Sequence, residues 1–223
     1  MKPFPIFVGI AAVALVVAHY LIFVTVPMEV RMGPVQRIFY FHVPSAMMCY
    51  LGFILCFLGS LGYLFKRKTK MDLFALAGAE VGLLFGLVVL VSGPIWARIE
   101  WGTWWKWEPR LTSMLLLVLI FMAYWVLRTY GGRGEGVRRF AAVLAIFGTP
   151  NILFVRNAVK KWRGDHPDDV VTTLDPDMKM TFYVCMLIML LLFSLLMITR
   201  YRMHRDARTA QAIRRRLGRL GGL

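Results

Sequence analysis

Six apolar stretches, most of them long enough to cross a bilayer, constrain this 223-residue chain more than any other feature. A helix needs roughly 20 mostly apolar residues to span the hydrocarbon core. Only 17% of the residues are charged, against about a quarter in soluble domains. The sequence therefore predicts an all-α, polytopic integral membrane protein with six transmembrane helices, at residues 6–27, 43–65, 72–95, 111–127, 140–155 and 180–199.

Two of these stretches need comment. Residues 6–27 have a longer apolar core than a signal peptide and no cleavage site, so we expect this helix to be retained. The fifth stretch is short and contains Pro150 and Asn151. Breaks of this kind are typical of backbone that is packed within protein or faces a cavity.

The basic residues divide unevenly between the two ends of the predicted helices. Seventeen of the 27 Lys and Arg lie at the N-terminus, in the turns around 66–70 and 128–139, and in the tail. Because cytoplasmic loops are enriched in Lys and Arg, both termini are predicted to be cytoplasmic. We expect a six-helix membrane domain over residues 1–200 and a basic, helical cytoplasmic tail over 201–223. The net charge of +15 then reflects membrane orientation, with lipid as the partner and no nucleic acid.

The segment 93–113 concentrates tryptophan and positive charge on the predicted outer side. It holds five of the seven tryptophans and three cations: Trp96, Trp101, Trp104, Trp105, Trp107, Arg98, Lys106 and Arg110. If the segment were helical, Trp101, Trp104 and Trp105 would share one face, with Glu108 a turn further on. Such a shelf suits a large flat ligand with an apolar centre and an anionic edge. An aromatic belt at the membrane surface is the alternative.

Two histidines are predicted on the same outer side. His42 is expected at the water-facing mouth of the second helix, with Pro44 as a helix-start residue, and His166 lies in the loop 156–178. Two neutral imidazoles can occupy both axial positions of a haem iron, and Arg or Lys can pair with propionates. Zinc, which prefers three or four ligands, stays open because an aspartate such as Asp165 could complete its site.

The other reactive residue types have plainer interpretations. Cys49, Cys56 and Cys185 lie in apolar stretches without a CxxC pair, so we expect them to be small buried residues. His19 is interpreted as structural and His204 as a solvated surface residue. Glu80 lies near Gly78, Gly82 and Gly86, a small-residue stripe that allows close helix packing, and is expected to contact a neighbouring helix.

The stretch W-G-T-W-W-K-W-E-P-R-L-T-S resembles the tryptophan-rich signature of haem-handling membrane proteins of cytochrome c maturation. The resemblance extends to G-P-I-W-A-R, F-H-V-P-S-A-M, N-I-L-F-V-R and W-R-x-x-H-P. The length and the six-helix layout are similar to those of the CcmC family. Two departures concern the signature itself, where the family usually has aspartate at the position of Glu108 and a small residue at that of Pro109.

The resemblance implies a function. CcmC-type proteins hold haem b (iron protoporphyrin IX) non-covalently at the periplasmic face of the bacterial inner membrane, here between His42 and His166. The remaining contacts would come from the tryptophans, Arg98, Glu108 and Arg110. CcmC-type proteins present haem to the chaperone CcmE. They work with the ABC transporter subunits CcmA and CcmB and with the small CcmD. ATP hydrolysis belongs to that transporter, and the CcmC protein is not itself an enzyme.

Three alternatives remain open from the sequence. A haem lyase or synthetase of the other maturation system shares the tryptophan motif but is usually longer and richer in histidine. A cytochrome b-like electron carrier would pair its histidines within the bilayer. A transporter or assembly scaffold would use the tryptophans only as a belt.

Overall fold

The computed structural model describes residues 3–132, 134–162, 164–167 and 170–220, and this part of the chain is helical without a β-sheet. A π-helical segment, Leu21–Thr25, extends the first helix, and a 3-10 segment, Pro34–Ile38, leads into the second. In chain order the helices are α1 (Pro3–Tyr20), α2 (Phe39–Lys66), α3 (Thr69–Glu100), α4 (Pro109–Tyr130), α5 (Glu135–Gly148), α6 (Asn151–Trp162), α7 (Val170–Thr173) and α8 (Pro176–Leu220).

Six helical segments among these residues are long and apolar enough to cross a membrane, as predicted. Two of the predicted bounds are wrong. The second segment begins at Pro34, so Pro44 lies inside α2 and does not start it. The fifth segment begins at Glu135 and reaches Asn157 across the break between α5 and α6, so it is not short. The predicted break at Pro150 and Asn151 is confirmed.

The centre of the bundle is the pair α2 and α3, which approach each other closely along the glycine stripe. A Cβ on Gly52 would lie 2.6 Å from the Cα of Gly82, and one on Gly78 would lie 2.8 Å from the carbonyl oxygen of Gly52. The predicted role of the stripe in helix contact is therefore confirmed. Next to it, the rings of Phe53 and Phe121 stack at 3.7 Å between centroids and bring α4 against α2.

The long helix α8 is tied to α3 by charged side chains. Glu80 Oε2 accepts hydrogen bonds from Arg200 Nε at 2.8 Å and from His204 Nε2 at 2.7 Å. The predicted helix-contact role of Glu80 is confirmed, whereas the interpretation of His204 as a solvated residue is wrong. Since α8 continues past Arg200 to Leu220, the predicted helical character of the tail is confirmed as well.

The remaining predictions about reactive side chains agree with the structure. All three cysteines are free and buried. His19 bonds through Nδ1 to the carbonyl oxygen of Leu15 in its own helix, at 2.7 Å, as a structural histidine would.

The alternation of helix direction separates two sets of connections at opposite ends of the bundle. One end carries the short turns after α2 and α4. The other end carries the segment before α2, the tryptophan segment after α3, and residues 164–167. His42, His166 and the tryptophans of the segment 93–113 therefore belong to one end.

Candidate functional site

His42 lies in the second turn of α2 and faces the C-terminal part of α3. It is half-buried and is not at an open helix mouth as predicted, because α2 begins three residues earlier, at Phe39. Its Nδ1 is 2.8 Å from the hydroxyl oxygen of Ser92. The backbone of α3 is close to the ring, since a Cβ on Gly93 would be 3.4 Å from Cε1 of His42. These contacts fix the position of the imidazole between two helices.

His166 belongs to the non-helical residues 164–167 and packs against two tryptophans. Its ring centroid is 6.1 Å from that of Trp96 and 6.5 Å from that of Trp101. The two indoles contact each other edge to face at 5.0 Å. Arg110 Nη1 lies 3.1 Å from Nδ1 of His166 and donates to the carbonyl oxygen of Pro167 at 3.0 Å. An aromatic wall and a guanidinium thus flank this imidazole.

Helix α3 brings the two histidines to the same level of the bundle. Ser92, which contacts His42, and Trp96, which contacts His166, are one helical turn apart, or about 6 Å along the axis. The two imidazoles therefore contact neighbouring turns of the same helix. The sequence prediction that His42 and His166 share one end of the molecule agrees with this geometry.

The tryptophan segment holds the short loop that carries His166. Glu108 Oε2 accepts a hydrogen bond from the backbone N–H of Asp165 at 2.8 Å. Lys106 Nζ donates to Asp165 Oδ2 at 2.7 Å and lies 4.9 Å from the ring centroid of Trp101. Glu108 is buried, so its contact with the loop is shielded from water. The carboxylate of Glu108 therefore fixes the loop that carries His166.

The predicted helical shelf of Trp101, Trp104 and Trp105 is wrong. Helix α3 ends at Glu100 and α4 begins at Pro109, so residues 101–108 are not helical. Gly102 has φ of +72°, which glycine adopts without strain, and Arg98 donates to its carbonyl oxygen. Proline at position 109 also disfavours helical backbone at the residue before it. The tryptophans consequently do not share one face.

The tryptophans form two groups instead. Trp96 and Trp101 are half-buried and contact His166. Trp105 packs edge to face on Trp107 at 5.8 Å, while Trp104 is 59% and Trp107 77% exposed. The first group can line a ligand next to the imidazole, and the second group presents indoles to the surroundings.

The predicted cations and the possible metal ligand have protein partners. Arg98 bonds to Gly102, Arg110 to Pro167, and Lys106 to Asp165. Asp165, which the sequence leaves open as a zinc ligand, forms an ion pair with Lys106. In the described ranges no group of three or more His, Cys, Asp or Glu is arranged to hold a metal ion. Arg163, Asp168 and Asp169 of the predicted loop lie outside the described residues, and nothing is described of the Trp162 side chain.

Sequence reasoning missed two residues that organise the site. Ser92 contacts His42, and only its position one turn before Trp96 could have suggested this. Asn151, recognised only as part of a break, donates through Nδ2 to the carbonyl oxygen of Ser113 at 2.8 Å. The break between α5 and α6 is therefore joined to the start of α4, directly after the tryptophan segment.

Comparison with known proteins gives consistent matches. Residues 1–219 match the family model described as CcmC, heme exporter protein C. Heme exporter protein C of Bradyrhizobium diazoefficiens is 31% identical over 192 residues, which cover 86% of this chain and 72% of that protein. The Paracoccus denitrificans protein of the same name is 31% identical over 182 residues, covering 79% and 76%. The Escherichia coli K12 protein of that name is 29% identical over 158 residues, covering 69% and 63%.

Proposed function

The chain belongs to the heme exporter protein C (CcmC) family, and from this premise we propose that it binds haem at the His42–His166 end of the bundle and delivers it during cytochrome c maturation. The relatives are named as haem exporters, and a further match, from Marchantia polymorpha, is named a putative cytochrome c biosynthesis ccmC-like mitochondrial protein. Haem is the cargo of this protein rather than a resident group.

The observation that carries the proposal is that two imidazoles from distant parts of the sequence both contact α3 at one end of the bundle. His42 comes from α2 and His166 from a loop more than a hundred residues later, yet both contact successive turns of α3. A six-coordinate haem iron can take both axial ligands from a protein, and two imidazoles can fill these positions. Trp96 and Trp101 add apolar ring surface beside His166, which suits the edge of a porphyrin. The residues present therefore fit haem.

Each residue type would have a separate task in holding the cargo. His42 and His166 would ligate the iron without a covalent bond to the ring, as expected for haem b. Arg98, Lys106 and Arg110 each bond to a protein oxygen in this structure, and they would exchange these partners to pair with propionates. The planar guanidinium of arginine suits a carboxylate best. Glu108, through its bond to Asp165, would keep the His166 loop in place.

Membrane orientation extends the proposal to partners. The excess of Lys and Arg at the opposite end of the bundle favours a cytoplasmic location for that end, including both termini and the basic tail over residues 201–223. The haem site of this inner-membrane protein would then face the periplasm. The exposed indoles Trp104 and Trp107 would meet the chaperone CcmE there. CcmA, CcmB and CcmD would complete the transporter, with ATP hydrolysis in that assembly and no enzymatic step in this chain.

The first test replaces the two histidines. His42→Ala and His166→Ala are each expected to weaken haem binding about a hundredfold, equivalent to roughly 2.7 kcal/mol, because one axial bond is lost. Titration of the purified protein with haem, followed by the Soret band, measures this affinity. Electron paramagnetic resonance of the ferric form should change from low-spin in the wild type to mainly high-spin in both variants.

His19→Ala is the matched control for this experiment. His19 also lies in an apolar helix, but its Nδ1 bonds to Leu15 and its ring stacks on Phe23, both in the first membrane-spanning stretch. It should keep wild-type affinity and a low-spin spectrum. Wild-type haem binding in both His42→Ala and His166→Ala would refute the proposed site.

The second test separates the two groups of tryptophans. Trp101→Ala should weaken haem binding about three- to tenfold, because the indole that packs on His166 is lost. Trp104→Ala, at an exposed position, should leave haem affinity within about twofold of the wild type while lowering transfer to CcmE. Haem titration and an assay of chaperone loading distinguish the two effects. Equal haem affinities for the two variants would contradict the division of the tryptophans into a group that lines the haem and a group that is exposed to a partner.

A further inference from the structure

The hydroxyl group of Ser92 contacts two partners at once. Its oxygen is 2.7 Å from the carbonyl oxygen of Val88, one turn earlier in α3, and 2.8 Å from Nδ1 of His42. A serine hydroxyl carries a single proton, and a carbonyl oxygen can only accept. The proton must therefore lie between Ser92 and Val88, since two oxygen atoms 2.7 Å apart without a proton between them would repel each other.

This arrangement determines where the proton of the imidazole is. Ser92 has donated its only proton, so it can only accept from His42, and Nδ1 of His42 must carry the ring proton. A neutral imidazole has one N–H, which leaves the lone pair on Nε2. Histidines that bind metals generally donate their other N–H in this way, which fixes both the tautomer and the ring orientation.

We propose that Ser92 is a positioning residue that holds His42 in the tautomer able to ligate haem iron through Nε2. This inference rests on the proposed function, in which His42 is an axial ligand. Ser92 would not itself touch the cargo. It acts through His42, because its own proton is donated to the carbonyl oxygen of Val88 within α3.

The surroundings make Ser92 difficult to replace by another acceptor. It is 5% exposed, and the adjoining groove is lined by apolar side chains such as Val91, Ile95 and Phe41. Without the hydroxyl, the Nδ1–H of His42 would face this apolar wall without a hydrogen bond, which is costly for a buried polar group. The ring would then turn or adopt the other tautomer, in which the proton blocks Nε2.

The test compares four variants as full-length protein in detergent or nanodiscs, titrated with haem. Ser92→Ala should bind haem about tenfold more weakly, as is typical when a partner of a metal ligand is removed. Its ferric resonance spectrum should also show altered low-spin g values. Ser92→Thr retains the hydroxyl and should recover wild-type affinity and spectrum. Ser194→Ala should leave both unchanged, because Ser194 makes the same hydrogen bond one turn back, to Leu190 at 2.8 Å, in α8.

The fourth variant, His42→Ala, separates failure of this inference from failure of the proposed function. Weak haem binding in His42→Ala together with wild-type affinity and g values in Ser92→Ala would overturn the role of Ser92 alone. Wild-type haem binding in His42→Ala would overturn both. Equal loss in Ser92→Ala and Ser92→Thr would also refute the inference, since the hydroxyl would not be responsible.

A cysteine variant keeps the test decisive if Ser92→Ala does not fold. The thiol of Ser92→Cys is only a weak acceptor, so affinity below that of Ser92→Thr is expected. Wild-type affinity and g values in Ser92→Cys would overturn the inference.

Discussion

Replacing Gly52 by alanine is expected to lower the free energy of unfolding by about 3 kcal/mol, a large value for the addition of one methyl group. The new Cβ would lie 2.6 Å from Cα of Gly82, 2.7 Å from its nitrogen and 2.9 Å from the carbonyl oxygen of Gly78. All three atoms belong to the backbone, so no side-chain rotation relieves the contact. Helices α2 and α3 would have to separate. Thermal unfolding in detergent, without haem, measures the loss.

Gly9→Ala is the control for this substitution. Gly9 lies within α1, and a Cβ there would meet nothing within 4 Å. Alanine is favoured over glycine inside a helix by about 1 kcal/mol, so this variant should be as stable as the wild type or more so. Equal unfolding temperatures for Gly52→Ala and Gly9→Ala would contradict the close approach of α2 and α3. Since His42 and Ser92 lie on these two helices, Gly52→Ala should also weaken haem binding.

The number and order of the helices could be predicted because a segment that crosses a bilayer must be apolar, so hydropathy marks the spans. Backbone hydrogen bonds must be satisfied within each span, so apolar stretches become helices. The bounds were less predictable where helices continue into less apolar sequence. Residues 34–42 and 135–139 are helical although they lie outside the apolar stretches, since local hydrogen bonding does not end where hydropathy falls.

The location of the candidate site could be predicted in part. Successive spans cross the membrane in opposite directions. The number of spans between them is therefore sufficient to place His42, His166 and the tryptophan segment at one end. The contacts of His42 with Ser92 and of Glu108 with Asp165 depend on the rotation of each helix and on loop geometry, which spacing does not determine. The tryptophans were assigned to one face because their spacing is helical, but the left-handed Gly102 and Pro109 prevent a helix between them.

The contact of His204 with Glu80 could have been predicted from the spacing of residues on α8. Arg200 and His204 are four residues apart on α8, and such residues share one face of a helix. The sequence predicts a helix contact for Glu80, whereas the high charge of the tail favours a solvated His204. Opposite charges on two apolar spans indicate a pair, and the structure contains that pair.

Breaking the ion pair between Asp72 and Arg128 is expected to cost about 3 to 5 kcal/mol of unfolding free energy. Asp72 Oδ2 lies 3.0 Å from Arg128 Nη2, and the two side chains are only 5% and 8% exposed. The pair joins the first turn of α3 to the last turn of α4, where the helix dipoles also favour these charges. Asp72→Ala would leave the arginine charge buried without its partner. Unfolding of the single variants in detergent measures the cost.

A double-mutant cycle with an exposed control distinguishes a buried pair from a surface one. The variant with both Asp72→Ala and Arg128→Met should be more stable than the sum of the two single effects predicts, because neither charge is then left alone. Glu135→Ala removes a carboxylate that is 54% exposed and pairs with Arg67 and Arg139, and should cost less than about 1 kcal/mol. Additive effects in the cycle, or an Asp72→Ala variant as stable as Glu135→Ala, would mean that water reaches the pair and that α3 and α4 are held together at this end by apolar packing alone.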